Sequence, residues 1–181
     1  MTLREFYTLY PIAYDKNDVD RQIRELPKPK EIKGKELPEN LNKISIGKLI
    51  GIQTAMKMAR EVDCIREIAS ILLDVEITLD DRAETVFGFA MWVFREVEKI
   101  NKMFSTAHHH PTEEEIQAGF YNLDFGAFGI LDWWCLRMGV TNHEEAENTP
   151  WARIYKCMEI DRAKAEYERR LRSIHASKSK R

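Results

Sequence analysis

No run of about 18 apolar residues occurs anywhere in this chain, which excludes a membrane-spanning helix. Cysteine is scarce. Cys64, Cys135 and Cys157 stand far apart, and none belongs to a CxxC pair. An odd, scattered set excludes a disulfide framework and reads as reduced, buried thiols in a cytoplasm. The opening residues carry no long apolar stretch, so no secretion signal is expected. Charge of one sign is missing too. The formal net charge is −2, which leaves no global field to draw the protein to nucleic acid or to a membrane. No alternating apolar pattern and no Asn-Gly or Asp-Gly pair marks a hairpin, and no internal repeat is found. GxSxG, the phosphate-binding P-loop and a GxGxxG following a strand are all absent.

Apolar residues make up 44% of the 181 positions and charged residues 32%. That is globular composition with surplus charge, as expected of long solvated helix faces. The spacing predicts helices. Residues 2–9 suit a short amphipathic helix ended by Pro11. Residues 17–26 restart behind Asn17 or Asp18 as N-cap. Three prolines and a glycine between Pro27 and Pro38 forbid a helix, so an extended linker is expected there. Ser45 is a good N-cap for a helix from 46 to about 61, with another from about 63 to 74. Thr78 is expected to cap the clearest helix, 79–104, roughly 37 Å long. Val86, Ala90, Val93, Val97, Ile100 and Phe104 recur along it in steps of three and four.

Thr112-Glu-Glu-Glu115 is a capping box, opening a short helix through Gly119. Asp124 is expected to cap a helix over 125–138, with Gly139 at its C′ position. Thr149-Pro150 pairs a capping hydroxyl with a first-turn proline. The last helix should reach about residue 174. The expected fold is all-α: an irregular bundle of five to seven helices around a long central helix. Residues 1–26 form an N-terminal helical arm, 27–43 a Pro/Lys-rich extended linker, 44–175 the helical domain and 176–181 a basic disordered tail. From Arg162 to Arg181, eight basic residues face only Glu166 and Glu168.

The candidate sites are few. His108-His109-His110 suits a transition metal only if further ligands converge on it, and no HxxxH, HExxH or Cys/His array accompanies the run. It reads as an exposed loop. Asp80, Asp81 and Glu84, and separately Glu113 to Glu115, lie in first turns, where the helix dipole accounts for them. Gly126 and Gly129 are expected to permit close helix packing. A helix-turn-helix reading of 131–155 puts Glu144, Glu145 and Glu147 against phosphates, which is repulsive. No catalytic residue, cofactor or metal is therefore expected. Adjacent tryptophans on a helix point about 100° apart, so Trp134 reads as core and Trp133 as core edge or contact. Trp133, Trp151, Tyr155, Phe125 and Phe128 are the expected partner contacts, since aromatic residues anchor protein interfaces.

Leu37-Pro-Glu-Asn-Leu41 followed by Ile44-Ser-Ile-Gly-Lys-Leu-Ile50 resembles the opening of small proteins from tailed-phage morphogenesis modules. Phe125-Gly-Ala-Phe-Gly129, Ile130-Leu-Asp132, Arg137-Met-Gly-Val140, Thr149-Pro-Trp151, Ile154-Tyr155 and Tyr167-Glu-Arg-Arg-Leu171 are similar to the same group, the phage tail assembly chaperones. The resemblance implies a non-enzymatic helical protein of the bacterial host cytoplasm. Such a protein coats the tape measure protein and recruits tail tube subunits. It implies no small-molecule substrate and no membrane, and it leaves a homo-oligomer open. Only a short basic tail follows Leu171, where family members often carry a longer extension. Two other readings stand beside it: a structural virion component, such as a head–tail connector or packaged protein, and a helix-turn-helix-like nucleic-acid-binding regulator.

Overall fold

The computed structural model describes residues 1–107, 111–123 and 125–179. The fold is all-α. Nine α-helices lie among these residues, six of them ten residues or longer. None is long and apolar enough to cross a membrane. The chain divides into two compact units, Met1–Lys99 and Ile100–Arg181. The boundary falls within the long helix, where the spacing had suggested one domain over 44–175.

The first unit holds α1 (Leu3–Leu9), α2 (Lys16–Glu25), α3 (Ile46–Ala55), α4 (Glu61–Leu73) and the start of α5 (Ala83–Ala107). Asp15, rather than Asn17 or Asp18, caps α2, its carboxylate accepting from the Asp18 amide. Ser45 caps α3 as expected, but α3 stops at Ala55, short of residue 61. α3 and α4 pack closely: a Cβ on Gly51 would meet Ile71 Cδ1 at 3.1 Å. Along α5, Val86, Phe87, Phe89, Ala90 and Val93 are all buried. Each large apolar side chain so placed contributes roughly 1.5–3 kcal/mol.

The long helix begins at Ala83, not at Leu79. Residues 79–83 have other partners. The amides of Leu3 and Arg4 donate to the carbonyls of Asp81 and Leu79, and the Ala83 amide donates to the Met1 carbonyl. Thr78 and Asp81 close a tight turn through the Asp81 carboxylate, which accepts from the Thr78 amide at 2.6 Å and pairs with Lys33 at 3.1 Å. Burial pushes this carboxyl up, but the Thr78 and Lys33 bonds outweigh it and hold it below its ordinary range. The N-terminal residues are therefore part of the first unit. Leu3 and Phe6 are buried, and the Phe6 ring meets Phe87 edge-on at 4.7 Å.

The proline-rich segment is no spacer either. It is a strap packed on α5. A two-residue hairpin, β1 (Glu31–Ile32) and β2 (Lys35–Glu36), turns at Lys33-Gly34, both with positive φ, as a primed turn requires. Ile32 and Leu41 are buried. Arg95 donates to the carbonyls of Arg24 and Leu26. The Lys28 ammonium lies 4.4 Å from the centre of the Trp92 ring. Gly88 makes the approach possible, since a Cβ there would stand 2.6 Å from the Pro27 carbonyl oxygen.

The second unit holds the end of α5, α6 (Glu113–Gln117), a 3₁₀ turn (Phe120–Leu123), α7 (Gly126–Met138), α8 (His143–Glu147) and α9 (Trp151–Ser179). The Thr112–Glu115 capping box is formed. Asp124, expected as a cap, lies outside the described residues. α9 runs on through Ser179, so residues 176–179 of the expected disordered tail are helical. Lys180 and Arg181 lie outside the described residues. The core of this unit is Phe104, Leu131, Trp134, Ala146, Trp151 and Ile154.

Candidate partner-binding groove

α7 starts in an unusual way. Gly126 has φ +55°, and nothing stands within 4 Å of where its Cβ would be. Its role is therefore conformational rather than the helix packing expected for it: only glycine takes that backbone without strain. Phe125, just before this turn, is 67% exposed. Further along, Gly129 lies tight against Phe125, a Cβ there meeting Phe125 Cβ at 3.1 Å. The helix ends at Gly139 in the left-handed region, and the Val140 amide closes back on the Cys135 carbonyl at 3.0 Å.

Between this helix, the 3₁₀ turn and α9 lies an open groove of about 780 Å³. Phe120, Tyr121, Leu123 and Phe125 form one side, Ile130 and Trp133 come from α7, and Met158 and Ala165 from α9. Tyr121 and Leu123 are 69% and 64% exposed. So large an apolar group facing solvent is uncommon away from a binding surface.

One ion pair clasps α7 to α9 at the groove wall. Arg137 donates through Nε and Nη2 to the two oxygens of Asp161, each at 2.9 Å. The guanidinium also lies 5.7 Å from the Trp133 ring centre. The Arg137 bonds hold the Asp161 carboxyl below its ordinary range. Farther along, Arg162 reaches Glu166 at 3.3 Å, and its Nε is buried without a hydrogen-bond partner.

Two of the five expected contact residues, Phe125 and Trp133, meet in this groove. Phe128 is exposed elsewhere, its ring 5.0 Å from that of His143. Trp151 is a correction. It is 1% exposed, packed on Phe104 at 5.9 Å, because the Thr149-Pro150 start turns the first residue of α9 into the core. Tyr155 is half-buried against Phe104 at 5.6 Å, with its hydroxyl donating to Glu159. Tyr121 and Leu123 were missed by sequence reasoning. The apolar residues of Phe120-Tyr-Asn-Leu123 were the available signal. The α8 of the helix-turn-helix reading is only five residues long, with Glu144 and Glu145 in its first turn.

A second cluster lies in the first unit. Tyr7, Glu61 and Arg66 line a shallow cavity of about 390 Å³. The Tyr7 hydroxyl faces Glu61 without a well-formed hydrogen bond. Burial, reinforced by the Glu61 charge, pushes the Tyr7 phenol far up. Burial also raises Glu61, and it raises the neighbouring Cys64 thiol. Tyr7, Glu61 and Cys64 are each driven toward the neutral form, which is the opposite of an activated nucleophile. Among the described residues no group of His, Cys, Asp and Glu is placed to hold a metal ion. The His108–His110 run lies outside them.

Comparison of the chain with protein-family models, with curated proteins and with solved structures yields no match.

Proposed function

We propose that this protein is a non-enzymatic assembly chaperone of tailed-phage tails, which binds an apolar helical segment of the tape measure protein in the α7–α9 groove. The observation that carries the reading is the exposed apolar wall of that groove. Phe125, Tyr121 and Leu123 stand about two-thirds in water beside half-buried Trp133. Covering side chains of this kind is worth roughly 1.5–3 kcal/mol each. An amphipathic helix with anchors at i, i+3, i+4 and i+7 fits such a surface. An all-helical chain is also what the resemblance to tail assembly chaperones implies. Shielding a long apolar helix until tail subunits assemble requires binding rather than chemistry, and it takes place in the host cytoplasm.

The test is co-expression of the full chain with a tape measure protein from the same phage module. The two should co-purify, and the tape measure protein should stay soluble. Phe125→Asp together with Trp133→Asp should abolish capture while leaving the helical circular dichroism signal intact. Failure to recover any tape measure protein with the unaltered chain overturns the proposal.

A further inference from the structure

α9 has a second face that the groove does not use. At about 100° per residue, Met158, Arg162, Ala165 and Arg169 point into the groove, while Ile160, Tyr167, Leu171 and Ile174 form a stripe on the opposite side. That stripe is exposed: Ile160 41%, Tyr167 60%, Leu171 39% and Ile174 51%. Its steps of seven, four and three are those of a two-helix seam. From Ala163 to Lys178 every residue except Arg169 is exposed. An uncovered helix of this length is marginal in water, because most helical stability comes from packing one face.

The borders of the stripe decide what covers it. Lys164 and His175 flank one side and Arg170 the other, and Lys178 continues the stripe beyond Ile174. Glu168 stands beside His175 on the first side, and Glu159, paired with Lys156, beside Arg170 on the other. Glu166 lies toward the groove, paired with Arg162. Among the described residues, Lys164, Arg170 and Lys178 therefore outnumber the unpaired acid along the stripe. A second copy of the chain would bring Lys164, Arg170 and Lys178 of each helix against that single carboxylate of Glu168, an excess of like charge that is unfavourable at helix–helix borders. We propose that this face binds an acidic amphipathic helix of another protein, with apolar residues meeting the stripe and carboxylates meeting Lys164, Arg170 and Lys178. This surface is independent of the groove. It gives α9 two occupants on opposite sides, so that one helix joins two proteins.

The test uses the full chain and two synthetic helical peptides about three heptads long. Both have a leucine seam; one carries glutamate and the other lysine at the flanking positions. Fluorescence anisotropy should show the glutamate peptide binding at least about tenfold more tightly. Leu171→Ser with Ile174→Ser leaves the charge unchanged and should weaken it about tenfold or more. Lys164→Glu with Arg170→Glu should reverse the preference between peptides. Trp133→Ala, which alters the groove on the other side of α9, should leave the affinity for the glutamate peptide unchanged. Three results overturn the proposal. One is equal binding of both peptides, or binding indifferent to the serine pair. Another is a concentration-dependent dimer abolished by that pair, which assigns the face to a second copy. The third is a short DNA duplex bound more tightly than the glutamate peptide, which assigns it to nucleic acid.

Discussion

Gly88 and Trp151 show how much one position decides. Gly88 sits in the middle of the long helix, where glycine costs about 1 kcal/mol relative to alanine. It is tolerated because the Pro27 carbonyl comes so close. Gly88→Ala therefore gains intrinsic helix propensity and still loses, because backbone on both sides has no rotamer to change. A net loss of about 1–3 kcal/mol is expected in urea unfolding. An unchanged or raised midpoint would mean that the strap does not press on α5. Trp151 makes the converse point. Its place beside Trp133 in the aromatic inventory suggested a shared role, but it is buried and Trp133 is half-buried. Trp151→Ala should cost about 3–5 kcal/mol of stability. Phe125→Ser, at an exposed position, should stay within about 0.5 kcal/mol by the same measurement. A mild Trp151→Ala variant would return that residue to the surface.

Among the elements, periodicity and caps made the helices legible. Ser45, the Thr112–Glu115 box and Gly139 all stand where their chemistry places them. The misread start of α5 has a different cause. Thr78-Leu-Asp-Asp is a sound local helix start, but residues 1–4 compete for the same backbone groups and win. Local sequence carries no trace of a partner about eighty positions away. The strap was hidden for the same reason: prolines reveal that a segment is extended, not what it lies on. In the groove, α7 residues could be anticipated from their aromatic character. The 3₁₀ turn could not, because a four-residue stretch has no period to read. The Arg137–Asp161 clasp was equally hidden, being formed across 24 positions. It makes a pH prediction. Asp161 has its carboxyl pKa depressed in the folded chain, so its contribution is present above the unfolded carboxylate range and is lost as pH falls through the folded value. Arg137→Ala should lower Tm by a few degrees near neutrality. That difference should shrink toward zero in acid; a gap that persists below the carboxylate range would show that the clasp acts by packing alone.

At the scale of the whole molecule, the net charge of −2 hides an uneven distribution. The groove is lined mainly by apolar side chains, so binding there should respond little to ionic strength. Raising salt from about 0.05 to 0.5 M, which shortens the screening length severalfold, should change the groove affinity by less than about threefold. Titration of the tape measure segment at both salts measures this, and a steep loss would mean that charge rather than apolar contact dominates. The two units also differ in their indoles. Trp92 is in the first, and Trp133, Trp134 and Trp151 are in the second. Above Trp92 sits the ammonium of Lys28, held by the carbonyls of Pro38 and Glu39. A positive charge over an indole face shifts and quenches its emission. A chain carrying phenylalanine in place of the other three would thus glow according to whether the strap is down, and detachment of that short segment would be visible as light before any helix melted.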